Sequence, residues 1–116
     1  MFAIFEKYSQ TSERTKKTRL HPLKVPLSMG RTFDMIEKYF ASLEPLDTII
    51  ARDYFDICIL DNKGFEISVQ LQTEGGNTYI NASVFGDDKR GKTRRRLYDL
   101  LDELRILFKD YIGKKL

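Results

Sequence analysis

The residues most able to do chemistry in this chain lie together, in the stretch Gly86-Asp87-Asp88-Lys89-Arg90-Gly91-Lys92-Thr93. Two glycines, a lysine and a threonine at these spacings are what a phosphate cradle needs. Backbone N–H groups would wrap the anion, Lys92 would neutralise it and Thr93 would hold Mg²⁺. Gly86, Gly91, Lys92 and Thr93 are therefore a candidate phosphate loop. The cations continue beyond it: Lys89, Arg90, Lys92, Arg94, Arg95 and Arg96 put six positive charges into eight positions. An arginine fork reaches two oxygens at once, so this cluster is a candidate docking patch for phosphate groups or an acidic protein face. It also reads as a solvated, salt-bridged helix start. Asp87 and Asp88 precede it, and Asp99 stands four residues after Arg95 and three after Arg96.

The pattern G-x-x-x-x-G-K-[ST] resembles the phosphate-binding loop of P-loop nucleotide hydrolases. In that family the loop follows the first strand of a parallel sheet and precedes a second acidic motif. Here 23 residues follow Thr93, all used by one helix, and the apolar strand that ends in an acid, Ile57–Asp61, lies upstream. Asp87 and Asp88 would also put two carboxylates inside the cradle. The match is read as a coincidence, and no ATP or GTP hydrolysis is expected.

Other reactive side chains are scattered. His21 stands between Leu20 and Pro22 with no assignable Ser or Cys partner, and reads as solvent-facing or structural. Cys58 lies among Ile57, Ile59 and Leu60 and is expected to be a buried, inert thiol. Asp47, Asp53, Asp56, Asp61 and Glu66 could pair for acid–base work or gather around a metal, but their spacing requires neither. One Cys permits no internal disulfide and one His cannot anchor a multi-histidine metal site. No catalytic residue, metal ligand or cofactor is assigned.

Two helices and several strands must position these groups. Ser28 is a fair N-cap for a helix over Met29–Leu43, in which Phe33, Ile36, Phe40 and Leu43 share one face and Pro45 ends the run. A last helix is expected over Thr93–Ile112. Leu97, Leu100, Leu101, Leu104, Leu107, Phe108 and Tyr111 form its stripe, and Gly113 ends it. Arg94–Arg96 then fall in its first turn. Arg95, Asp102 and Ile106 lie opposite the stripe, flanked by Tyr98 and Lys109, so Ile106 is an apolar residue where solvent is expected. Strands are expected at Phe2–Tyr8, at Arg19–Leu27 (an edge strand, since it holds Pro22 and Pro26), and at Thr48–Leu60, Phe65–Thr73 and Tyr79–Phe85. Ser9–Thr18 reads as an exposed loop or mobile arm. The turns Asp61-Asn62-Lys63-Gly64 and Gly75-Gly76-Asn77 join the last three strands into an antiparallel meander. The expected fold is α+β, a two-layer sandwich in which both helices pack one face of that sheet. The order strand–helix–meander–long helix resembles, in topology alone, small TATA-binding-protein-like or helix-grip domains, a fold type that hosts many functions.

Composition bounds the function. The chain has 116 residues, 41 % apolar and 32 % charged, which suits one domain over residues 1–116. No apolar run approaches the length of a membrane span, and cytoplasmic residence is the expectation. The net charge of +3 hides a segregation: residues 35–86 carry three basic and eight acidic side chains, whereas both flanking segments are basic. Three readings follow. The first is a non-catalytic interaction domain, a small subunit or adaptor, that docks an acidic or phosphate-bearing partner, protein or nucleic acid, through Lys89–Arg96 with help from Arg14–Arg19. The second is a structural protein–protein assembly module using sheet edge and apolar contacts. The third is a phosphate or nucleotide binder using loop 86–93. Tyr54 and Tyr79 are candidates for base stacking if they share an open sheet face with the cations.

Overall fold

A computed structural model describes residues 8–11, 22–86 and 91–112 of the chain. The first helix, α1 (Met29–Ser42), begins where expected: Ser28 Oγ accepts from the Arg31 N–H at 3.2 Å, and the Thr32 hydroxyl donates to the Ser28 carbonyl at 2.8 Å. Phe33, Ile36 and Phe40 are buried along one side. After Leu43 the chain turns through Glu44 in the left-handed region (φ 52) and leaves at Pro45, which cannot continue a helix.

Four antiparallel strands follow as a meander: β3 (Asp47–Ala51), β4 (Asp56–Leu60), β5 (Glu66–Glu74) and β6 (Asn77–Phe85). The single strand expected over Thr48–Leu60 is therefore two. Between β3 and β4 lie a 3-10 turn at Arg52–Tyr54 and Phe55 in the left-handed region (φ 50). The corner is fixed by packing and pairing: the Phe55 ring meets Phe33 edge-on at 5.8 Å, the Phe55 carbonyl accepts from Leu71 N–H, and Arg52 pairs with Glu37 of α1.

Two short strands lie on the far side of β6. β1 (Tyr8–Gln10) pairs with it at Phe85–Ser83 and β2 (Leu23–Val25) at Ile80–Thr78, so the two are successive pieces of one sheet edge. Ser9 and Gln10, expected in a loop, thus belong to a strand. The ladder ends at Thr11, whose N–H donates to the Ala82 carbonyl and whose hydroxyl accepts from the Ala82 N–H. The rest of the expected Phe2–Tyr8 strand, the remainder of the 9–18 segment, Arg14–Arg19 and His21 lie outside the described residues.

The last helix is α2 (Lys92–Leu107). At Phe108 it breaks, and a short α3 (Lys109–Ile112) follows in place of one helix to Ile112. The break keeps Phe108 buried and brings the Tyr111 hydroxyl to Arg31, which donates to it at 3.0 Å. The core is one cluster. Ile57, Ile59, Ile67, Val69, Leu71, Ile80, Ala82 and Val84 come from one sheet face, with Phe33, Ile36 and Phe40 from α1 and Leu97, Leu100, Leu101 and Leu104 from α2. The protein is an α+β two-layer sandwich: the described residues form a six-stranded antiparallel sheet in the order β1-β6-β5-β4-β3, with β2 also on β6, packed by two long helices. Among the described residues no helix is long and apolar enough to cross a membrane.

Candidate functional site

The loop that leads into α2 is built from residues the packing needs. Gly86 is a buried bend at the end of β6, where a Cβ would stand 2.7 Å from Cδ1 of Phe65. Gly91 is the residue before the helix and sits at φ +71, a conformation an L side chain rarely adopts. Thr93, which a phosphate loop would turn toward Mg²⁺, is wholly buried in the first turn of α2. Gly86, Gly91 and Thr93 each have a place in the fold itself, and Lys92 alone of the motif's defining residues is exposed. Asp87, Asp88, Lys89 and Arg90 lie outside the described residues.

The first turn of α2 carries Lys92, Arg94, Arg95 and Arg96 nearby and no acidic residue, and Gly91 supplies no capping side chain. Lys92 and Arg95 are exposed; Arg94 is half-buried. Arg96 is turned inward, and its partners are not the Asp99 that its spacing suggests. Its Nε lies 3.2 Å from Oδ2 of the buried Asp61, and its Nη1 lies 3.7 Å from Glu103 Oε2. Asp61 is held from its other oxygen too: Oδ1 accepts from the backbone N–H groups of Lys63 and Phe65, both at 2.9 Å. Glu103 in turn accepts from the Tyr39 hydroxyl of α1. Burial, and then the Glu103 carboxylate, hold that hydroxyl above its ordinary titration range, with Arg96 opposing. Asp61, Arg96, Glu103 and Tyr39 therefore form one chain of polar contacts from the β4–β5 turn through α2 to α1. Sequence reasoning missed this chain, although the helical wheel held the signal: Arg96, Leu100 and Glu103 are four and three residues apart, on the flank of the leucine stripe.

The sheet face away from the helices is uncovered by any described element. Its centre is a depression of about 480 Å³ lined by Thr11, Asp56, Ser68, Gln70, Gln72, Asn81, Ala82 and Ser83. The Asn81 amide donates to Gln72 Oε1 at 3.2 Å across β5 and β6. Tyr79 follows Asn81 on this face by alternation along β6, whereas Tyr54 sits in the 3-10 turn beside β3, so the two candidate stacking residues are not neighbours in the sheet. Cys58 is also on this face. It is half-buried rather than buried, and with Ile49, Leu60, Asp47 and Glu66 it lines a second depression of about 160 Å³ next to β3. Of the five acids weighed for a joint role, Asp47 and Glu66 meet at the second depression on either side of Leu60, whereas Asp61 is in the buried chain, Asp56 begins β4 and Asp53 is exposed in the 3-10 turn. Among the described residues no group of three or more His, Cys, Asp or Glu could hold a metal ion. Ile106 is exposed, as its place opposite the leucine stripe requires.

Comparison with protein-family models, curated proteins and solved structures gives no match. The function is therefore read from the chain's own residues.

Proposed function

We propose that this chain is a non-catalytic interaction domain that docks an acidic or phosphate-bearing partner through the start of α2. The observation that carries the reading is a helix start with several cations and no acid. The macrodipole disfavours a cation there by roughly 0.3–1 kcal/mol each. For Arg96 the buried pair with Asp61, together with the partly exposed Glu103, offsets that penalty. Lys92 and Arg95 are exposed at the same end, and the first turn holds no acid to offset theirs; Asp99 stands one turn further on, four residues after Arg95. An anion bound there meets both side chains and the helix's own N–H groups, which point the same way. Lys89 and Arg90, next in sequence, would extend the patch, as would Arg14–Arg19. Cytoplasmic residence is part of the same proposal.

The test is the double reversal Lys92→Glu with Arg95→Glu, which leaves Arg96 in place. Both side chains are exposed, and acids suit the positive helix end, so the fold should be unchanged or slightly more stable. Binding to polyglutamate, to inorganic polyphosphate and to single-stranded RNA is measured over a salt series, and the tightest of the three identifies the partner class. The wild type should bind at least one with an affinity that falls steeply with salt, and the reversal should abolish it. Binding to none, or binding that survives both salt and reversal, overturns the proposal.

A further inference from the structure

Exposed apolar side chains are concentrated at one end of the sheet. Of the six large ones among the described residues, Leu46 (67 % exposed), Ile49 (67 %), Ile50 and Tyr54 (74 %) all lie between residues 46 and 54, on or beside β3. Among the described residues β3 is the terminal strand, and one whole side of its backbone has no described strand partner. The opposite edge is protected in the usual way: β2 carries the exposed Lys24 and is flanked by Pro22 and Pro26. From Asp47 to Ala51 there is no lysine and no proline, and the pairing with β4 runs one-to-one without a bulge. An edge so undefended is suited to being covered by another strand.

We infer that β3 pairs antiparallel with β3 of a second copy of this chain, about a two-fold axis through Ile49. The pleat limits the choice. Residues opposite each other in an antiparallel pair point to the same face. A two-fold axis normal to the sheet must therefore pass at a residue and not between residues. Placing it at Ile49 uses all five residues of β3. Ile49 then faces its own copy on the open face, Thr48 faces Ile50 on the helix side, and Asp47 faces Ala51. The two Asp47 carboxylates, the one charge in each strand, end up four residues apart along the ladder. That is about 13 Å, beyond the roughly 8 Å over which salt leaves charges coupled. On the open face the row that already joins Cys58 to Ile49 continues across the axis into the same two residues of the second copy. Pairing β3 with the β1–β2 edge of another copy would instead make an open, head-to-tail array, and the prolines around β2 oppose it. The product is a closed dimer with one continuous sheet and all helices on one side.

Two measurements on the full chain test this. In sedimentation velocity from micromolar to sub-millimolar concentration, the wild type should pass from monomer to dimer. Ile49→Lys, which sets two cations face to face at an already exposed position, should stay monomeric with an unchanged circular dichroism spectrum. In a Cys58→Ser background, Ile49→Cys should cross-link on mild oxidation, because directly opposed residues are about 4.5–5.5 Å apart at Cα, within disulfide range. Ile50→Cys, whose counterpart stands opposite Thr48, should not cross-link. A wild type that is monomeric throughout, a dimer that survives Ile49→Lys, or equal cross-linking at both positions overturns the inference. None of these outcomes bears on anion binding at α2.

Discussion

Asp61 accepts two backbone N–H groups through one carboxylate oxygen and Arg96 through the other, while only 5 % of the residue remains exposed. A buried acid so placed depends on its cation, and removing one partner of such a pair leaves an uncompensated charge. Arg96→Met should therefore cost about 3 kcal/mol, read as a lower urea midpoint with an unchanged slope. A loss under about 0.5 kcal/mol, the size expected of an ordinary surface change, would show that Arg96 serves the surface after all. The neighbouring cations follow the opposite rule, since Lys92 and Arg95 are exposed. At this scale the sequence displayed the cluster but not its division. Arg94, Arg95 and Arg96 are identical letters in a row, and only the turn carrying Asp61, far from them in sequence, sets Arg96 apart from the exposed Arg95.

Both helices were legible because their signals are local. Ser28 and Pro45 bracket α1, and the leucine spacing defines the buried side of α2. The β3–β4 corner was not. Apolar residues continue through Ile49, Ile50, Phe55 and Ile57 with neither glycine nor proline between them, so the text reads as one strand. What bends it is tertiary: Phe55 docks on Phe33, and Arg52 on Glu37, both of α1. A run without such a break carries no sign that its first half forms a sheet edge. The loop into α2 makes the converse point, since a formal motif there satisfies packing demands. Gly86→Ala forces a methyl against the Phe65 ring at 2.7 Å and should cost about 1–3 kcal/mol of stability, the usual penalty of overpacking. Anion binding should persist at temperatures where the variant remains folded. If Gly86→Ala left stability intact and abolished binding, the glycine would belong to a phosphate loop.

Across the whole molecule, the chain Asp61–Arg96–Glu103–Tyr39 ties the sheet to α2 and α2 to α1, so loss of the Tyr39 proton should register in global unfolding. The Tyr39 hydroxyl is held above its ordinary range in the folded state. Its contribution is then complete below the unfolded value of about 10 and declines as pH rises past it. Tyr39→Phe should cost about 1.5 kcal/mol at neutral pH, the low end for a hydrogen bond to a charged acceptor. The gap between variant and wild type should narrow in denaturation curves taken above about pH 10. A constant gap would mean that the hydroxyl's proton is not what the chain depends on. The two-layer architecture itself was readable from periodicity, because the fully buried core comes mainly from alternating strands and striped helices. The sheet's outer order was less so, because the partners of β6 come from opposite parts of the chain. β5 reaches β6 through a two-residue turn, whereas β1 and β2 must be brought from near residues 8 and 23 to residues 85 and 80. Contacts that span so much chain are expected to form late, after the local meander has made the edge they need. During synthesis this sets an inversion: β1 and β2 are made before β6, so two described strands must wait for one made after them before they can dock on it.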